Sequence, residues 1–157
     1  MFPLNHSRRI VILLRLVAML LACVAVAHGQ GLPAGWTSQG VGSPGSGGNA
    51  AVSGGMWTVS GGGADIWGVA DQFQFASRTL RGDGSVIARV NSVGNTNGWA
   101  KSGVMLRGDA GAGAAYADVV GTPSNSIVFQ WRTSAGANAQ TVAAGGIVAA
   151  PDRKSVV

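Results

Sequence analysis

The side chains best suited to holding a ligand in this sequence are tryptophans in segments rich in glycine and asparagine. An indole ring offers a flat apolar face and one N–H donor, a combination suited to stacking on sugar rings. Trp131 alternates with apolar residues and is expected to be buried, as most tryptophans largely are. Trp67 and Trp99 stand in turn-rich segments and are therefore the candidate platforms for a carbohydrate.

Two aspartates close to the first of these tryptophans, Asp65 and Asp71, could supply oxygen ligands or acid groups. Calcium binds carboxylate oxygens, but the spacing of these residues is not that of an EF-hand. Such side chains more often hold turns through local hydrogen bonds. An inverting glycosidase also uses two carboxylates, yet nothing in the sequence fixes their separation. We predict no metal or cofactor, with calcium at Asp65 and Asp71 as a weak alternative.

Several catalytic classes are excluded by the residues that the sequence lacks. It contains no glutamate, its histidines are His6 and His28, and its one cysteine is Cys23 within an apolar run. Because these three lie so near the N-terminus, serine-histidine and cysteine-histidine catalysis, His/Cys zinc sites and glutamate-pair glycosidases are excluded. We therefore expect a protein that is not an enzyme.

The positive charge of the chain is concentrated at its N-terminus. Arg8, Arg9 and Arg15 contribute three units of the formal net charge of +5. Residues 28–151 carry six basic and five acidic side chains and are almost neutral. Binding of nucleic acid needs a clustered basic face, so nucleic acid is not expected as a partner.

The elements that must position these residues are predicted to be short β-strands. Gly31–Gly55 is typical of a loop-rich entry, with a first strand at Gly35–Gly40. Segments rich in β-branched or aromatic residues follow, divided by turn residues. They are Met56–Ser60, Gln72–Leu80, Ser85–Val93, Ser102–Arg107, Ala114–Val120, Ile127–Thr133 and Gln140–Ala144. Seven or eight such strands predict an all-β fold, an antiparallel β-sandwich or jelly roll.

Alternation within these strands predicts which side chains share a face. The apolar set is expected mainly inside: Phe73, Phe75, Val86, Val90, Val104, Leu106, Phe129 and Trp131. The polar set is expected on an outer, wet face: Gln74, Arg89, Arg107, Tyr116, Asp118, Gln130 and Arg132. Antiparallel sheets often have one solvated face, so this face is either a plain surface or a shallow groove for a polar ligand.

Three motifs carry a resemblance to a known family: Gly63–Gly68, Leu80–Val90 and, most specifically, Trp99–Arg107. Together they resemble the concanavalin A-like lectin/glucanase jelly-roll domain of secreted bacterial proteins, in the group labelled regulation-of-enolase-1-like. The resemblance runs from about residue 35 to 151. It implies an accessory module of extracellular carbohydrate-active or adhesive proteins and no known catalytic site. The family continues with further strands bearing Trp and Tyr, so we expect a C-terminally truncated domain.

Residues 1–29 are predicted to be a signal peptide. Arg8 and Arg9 form the basic region, Leu16–Ala27 forms the apolar region, and small residues follow as a cleavage site. The apolar run is too short to span a bilayer, which takes roughly 20 residues. A twin-arginine signal and a lipoprotein signal lipidated at Cys23 are alternatives. The expected location is secreted, extracellular or at the cell surface.

Asp152–Val157 has the sequence that a common sequencing-adapter string encodes, and we interpret it as a non-native tail after a domain spanning residues 30–151. A truncated sandwich leaves an unpaired strand edge. We therefore expect residues 145–157 to be unpacked and residues 152–157 to make few contacts.

The expected function is that of a non-catalytic module that binds polysaccharide or glycan beside other domains of a larger parent protein. A structural or adhesive surface module without a small-molecule ligand is the alternative, and a fragment of a glycoside hydrolase is the third interpretation. The candidate ligand-binding residues are Trp67, Trp99, Gln74, Arg89, Arg107, Tyr116, Gln130 and Arg132.

Overall fold

The computed structural model describes residues 31–143 and the backbone of a strand at residues 152–156. The predicted signal peptide, with Cys23, lies outside the described residues. The described part is built from β-strands, with no helix among its residues. The strands are β1 (Thr37–Val41), β2 (Asn49–Ser53), β3 (Met56–Ser60), β4 (Phe73–Ser77), β5 (Val86–Val90), β6 (Ser102–Arg107), β7 (Tyr116–Gly121), β8 (Ile127–Arg132), β9 (Gln140–Ala143) and β10 (Asp152–Val156). Over the described residues, nothing has the length and apolar character of a membrane-crossing helix.

The strands form antiparallel sheets, which confirms the predicted all-β architecture. The largest sheet has four strands in the order β6-β7-β8-β9, and β1 pairs with β4. Phe73 of β4 packs against a core cluster that includes Tyr116 of β7. Phe73 therefore packs on the sheet face that carries Tyr116, which is the layering of a β-sandwich.

Strand β2 lies inside the segment that was expected to be a loop-rich entry. It pairs with β3 through a tight turn at Gly54 and Gly55, whose φ angles are 55° and 79°. Two adjacent residues with positive φ are what a type I′ hairpin turn requires, and glycine adopts them without strain. The prediction missed β2 because its residues are mostly small and have weak strand propensity.

The predicted assignment of inside and outside is wrong for β7 and β8. Tyr116, Asp118, Gln130 and Arg132 are buried, whereas Phe129 of β8 is 37% exposed. Trp131 of β8 is only half-buried. On the neighbouring strand β6, the side chain of Arg107 was also expected outside and is almost fully buried. Alternation identifies the residues that share a face, but the face that becomes the inside depends on what packs against it.

Other assignments to the interior are confirmed. Val90 and Val104 are buried, and Phe73 packs against the core cluster. Arg89 is exposed, as expected for an outer residue.

The expectation that residues 152–157 make few contacts is wrong for β10. This strand pairs antiparallel with β5 along its whole length, with Asp152 opposite Val90 and Val156 opposite Val86. An edge strand offers unpaired N–H and C=O groups to any neighbouring extended segment, whatever its side chains are. The interpretation of the tail as non-native stays a prediction.

Candidate functional site

Strand register places three of the predicted site residues side by side. Arg107 of β6 lies opposite Tyr116 of β7, which lies opposite Arg132 of β8. The two guanidinium carbons lie 5.8 Å and 5.0 Å from the centre of the Tyr116 ring. At these distances both cations interact favourably with the face of the ring.

Asp71 completes a buried ionic cluster with Arg107 and Arg132. Arg132 donates to both carboxylate oxygens, with Nη1–Oδ2 and Nη2–Oδ1 distances of 2.8 Å and 2.7 Å. Arg107 Nη1 donates to Oδ2 at 2.7 Å. The side chain of Asp71 is fully buried, and hydrogen bonding to it raises the pKa of Arg132. A bidentate arginine–carboxylate pair of this kind fixes the orientation of both side chains.

The ionic cluster also holds the segment that carries Trp67. Arg132 Nη2 donates to the backbone oxygen of Gly68 at 3.0 Å and lies 3.4 Å from that of Trp67. The N–H of Ala139 donates to the same Gly68 oxygen at 2.8 Å. Trp67 itself is 41% exposed. The indole of Trp67 is thus exposed to solvent, while the backbone beside it is held by hydrogen bonds to buried groups.

Lys101 links Trp67 to the loop of Trp99. Its Nζ lies 2.5 Å from Asp65 Oδ1, donates to the backbone oxygen of Ile66 at 2.9 Å, and stands 5.8 Å from the centre of the Trp67 ring. The lysine side chain is almost buried, whereas that of Asp65 is 44% exposed. An ion pair with one buried member is more constrained than an ordinary surface pair.

Trp99 is the more exposed of the two candidate platforms, at 54%. The backbone N–H of Trp99 donates to Asn97 Oδ1 at 2.8 Å, so the asparagine holds the turn. The backbone oxygen of Gly98 accepts from Asn125 Nδ2 at 2.8 Å, which ties this loop to the β7–β8 connection. Trp67, Trp99, Asp65 and Lys101 are called the tryptophan surface below.

Asp118 and Gln130 lie opposite each other on the buried face, next to the ionic cluster. Among the described residues, neither oxygen of Asp118 has a hydrogen-bond partner, and the same holds for Gln130 Oε1 and the hydroxyl of Tyr116. Burial raises the pKa of Asp118 to about 7, while the positive charge of Lys101 acts in the opposite direction. Burial, with Asp118 as the next cause, also raises the pKa of Tyr116.

The predicted site residues therefore fall into separate groups. Trp67 and Trp99 are both exposed and lie on segments that Lys101 joins, whereas the expectation that Arg107, Tyr116, Gln130 and Arg132 lie on a wet face is wrong. Gln74 belongs to another surface, described below, and Arg89 is exposed on β5. Burial of Arg107 and Arg132 follows from their pairing with Asp71, because paired charges satisfy one another in the interior.

The two aspartates considered as calcium ligands each form ion pairs with different cationic side chains of the protein. Asp71 accepts from Arg107 and Arg132, and Asp65 pairs with Lys101. Each carboxylate is engaged by a cationic side chain of the protein itself. In the described ranges, no cluster of three or more His, Cys, Asp or Glu side chains is placed to hold a metal ion.

Lys101 was not predicted as a site residue, although its position in the sequence offered a signal. It lies two residues after Trp99 and inside the motif Trp99–Arg107. Its partner Asp65 is 36 positions away, so the contact became visible only in the folded chain.

Comparison of this chain with models of known protein families, with curated proteins and with solved structures finds no match, and the site is therefore interpreted from its own geometry.

Proposed function

We propose that this chain is a secreted, non-catalytic β-sandwich module that binds extracellular carbohydrate as an accessory domain of a larger protein. The observation that supports the proposal is the tryptophan surface, where two exposed indoles stand on loops anchored by hydrogen bonds. Rigid aromatic faces lose little conformational entropy when a ring stacks on them. Such a surface suits the flat, partly apolar faces of sugar rings.

The polar groups beside the indoles suit the same ligand class. The carboxylate of Asp65 is partly exposed and can accept hydrogen bonds from hydroxyl groups. Its pairing with Lys101 balances its charge, so the surface has no strong preference for an ionic ligand. A few fixed polar groups beside an aromatic face are typical of small-ligand sites.

The proposed fold family is the concanavalin A-like jelly roll. Its support is the antiparallel all-β architecture together with the contact between two of the motifs that carry the resemblance. Lys101, from the motif Trp99–Arg107, binds Asp65 and Ile66 of the motif Gly63–Gly68. The motifs are thus joined at the proposed binding surface.

The test is retention of the module on a panel of soluble and insoluble polysaccharides. Trp67→Ala and Trp99→Ala should each weaken binding to a retaining polysaccharide by at least about tenfold, because loss of a central aromatic contact costs about 2 kcal/mol or more and about 1.4 kcal/mol corresponds to tenfold. Leu80→Ala is the matched control, since Leu80 is also an exposed apolar residue in a loop.

The melting temperature of each variant shows whether the fold is kept. Retention on none of the polysaccharides, or equal binding by wild type and both tryptophan variants, would contradict the proposal.

The structural or adhesive alternative is favoured by a different observation. On the outer face of the four-stranded sheet, Phe129 and Trp131 stack with ring centres 5.3 Å apart, and Phe129 lies opposite Val142, which is 55% exposed. Exposed apolar patches mark contact surfaces between proteins. This alternative predicts no retention on any polysaccharide and association between copies of the module. Sedimentation should then show weaker self-association for Phe129→Ser.

The hydrolase interpretation has less support, because Asp71 is fully buried and paired with two arginines. A carboxylate in that position cannot reach a glycosidic bond together with Asp65.

A further inference from the structure

A polar groove lies apart from the tryptophan surface, between β1, β4 and the loop that follows β1. Its volume is about 400 Å³, within the range of small-ligand pockets, roughly 300–1,000 Å³. Its lining residues, called the serine groove below, are Ser38, Gln39, Gly40, Ser43, Pro44, Ser46, Gly47, Gly48 and Gln74. Because Phe73 faces the core, alternation along β4 turns Gln74 towards the outside.

The groove is polar without being charged. Its lining, all from described residues, holds three serines and two glutamines but no acidic or basic side chain. Hydroxyl and amide groups both donate and accept hydrogen bonds. A ligand that also donates and accepts at many positions, and that carries no charge, matches this lining best. A neutral sugar unit has these properties.

The floor of the groove is fixed before any ligand arrives. Gln74 Nε2 donates to Ser38 Oγ at 2.7 Å, which holds the amide in one orientation. A Cβ at Gly48 or at Gly61 would collide with the side chain of Gln74, so glycine at both positions lets the backbone pack against it. A polar group held in place loses less entropy on binding than a free one.

The wall of the groove is also held firmly. Gly42 has a φ of 67°, and a Cβ there would collide with the backbone oxygen of Asp71. The next residue, Ser43, lines the groove with a φ of 56°, which is uncommon for a residue other than glycine. The loop is thereby packed against the backbone of Asp71, whose side chain belongs to the ionic cluster.

We propose that the serine groove is a second carbohydrate subsite, which binds a neutral sugar unit through Gln74 and the groove serines. The ligand class is inferred from the lining of the groove itself. The proposal therefore does not depend on whether the tryptophan surface binds a ligand. The two sites together would let the module hold a polysaccharide at two separate places, which raises the overall affinity for a long chain.

Residue-resolved NMR tests the proposal with soluble neutral hexasaccharides of glucose, mannose and xylose as probes. At least one probe should shift the backbone amides of Gly47 and Gly48 and the side-chain amide of Gln74, with a saturable dependence on its concentration. An anionic oligogalacturonide should shift these signals at least tenfold less effectively.

Two glycine variants provide the matched comparison. Gly47 lines the groove and Gly45 does not, yet a Cβ meets no atom within 4 Å at either position. Gly47→Leu should weaken binding at the groove at least tenfold, whereas Gly45→Leu should bind like the wild type. The spectra and the melting temperatures show whether each variant keeps the fold.

The outcomes separate this proposal from the proposed function. Groove signals that no neutral probe shifts, a preference for the anionic probe, or equal binding by Gly47→Leu and wild type would each overturn the second subsite. If one of these results is found while Trp67→Ala still loses binding to a retaining polysaccharide, the second subsite is overturned and the proposed function stands. Groove shifts that persist in Trp67→Ala and Trp99→Ala would show that the two sites bind separately.

Discussion

The guanidinium of Arg132 donates hydrogen bonds to both carboxylate oxygens of Asp71, which lies 61 positions earlier in the chain. Neither side chain is accessible to solvent. The same Nη2 atom of Arg132 also binds the backbone oxygen of Gly68. One buried side chain therefore joins β8 to the segment that presents Trp67. Stability and the geometry of the tryptophan surface depend on the same contact.

Replacement of Arg132 is expected to destabilise the fold strongly. Arg132→Leu leaves the buried Asp71 with Arg107 as its remaining cationic partner and should lower the free energy of unfolding by about 3–5 kcal/mol, the usual cost of breaking a buried ion pair. Denaturant unfolding measures this change. Arg89→Leu, at an exposed position, should stay within about 0.5 kcal/mol of wild type. A loss below about 1 kcal/mol for Arg132→Leu would contradict the role assigned to the ionic cluster.

Asp118 should make stability fall as the pH rises. Its pKa in the folded chain is about 7, above the ordinary value of 3.8, so the folded state holds the proton more tightly than the unfolded state does. The free energy of unfolding from this group should therefore decrease between about pH 4 and pH 7 and change little above pH 7. The total is a few kcal/mol at most, since one pKa unit corresponds to about 1.4 kcal/mol.

Asp118→Asn isolates this effect, because asparagine has a similar shape and does not ionise. The difference in melting temperature between wild type and Asp118→Asn should move against the wild type as the pH rises from 4.5 to 8. A constant difference over this range would show that Asp118 does not titrate there.

Gly42 should not tolerate a side chain. Gly42→Ala places a Cβ against the backbone oxygen of Asp71 at a positive φ, and a loss of at least about 1 kcal/mol is expected. Gly45→Ala is the control, because its Cβ would meet no atom within 4 Å and its φ is not in the positive range. Thermal melting of both variants gives the comparison, and equal melting would contradict the close packing at Gly42.

Removal of residues 152–157 should expose β5. The fragment ending at residue 151 loses the strand that pairs with Val86–Val90, so its melting temperature should drop and its tendency to self-associate should rise. Calorimetry and light scattering measure the two effects. Unchanged melting and a monomeric fragment would show that β10 adds nothing to stability.

Sequence reasoning predicted strands well where β-branched or aromatic residues alternate between turns. The predicted segment Ile127–Thr133 is an example, because β8 begins at the same residue and ends one residue earlier. It failed at Asn49–Ser53, where small residues form a strand only because a two-glycine turn brings them beside β3. Local propensity is a weak signal when the pairing partner decides the outcome.

The candidate site was predictable only in part for a similar reason. The turn-rich surroundings of Trp67 and Trp99 predict exposed side chains, and both are exposed. The same reasoning predicts a surface position for Arg132, because an arginine that alternates with Trp131 and Phe129 normally faces water. Its buried position depends on Asp71, a partner too distant in sequence for any local pattern to indicate.

The separation between Asp71 and Arg132 also constrains the order in which the chain can fold. A contact across 61 positions closes a large loop, and contacts of this kind form late and slow the overall rate. A growing chain that has not yet reached residue 132 has the contacts of Lys101 and Arg107 with this segment but lacks those of Arg132 with Asp71 and Gly68. The Trp67 segment would then gain its last anchor during synthesis only after β8 has joined β7.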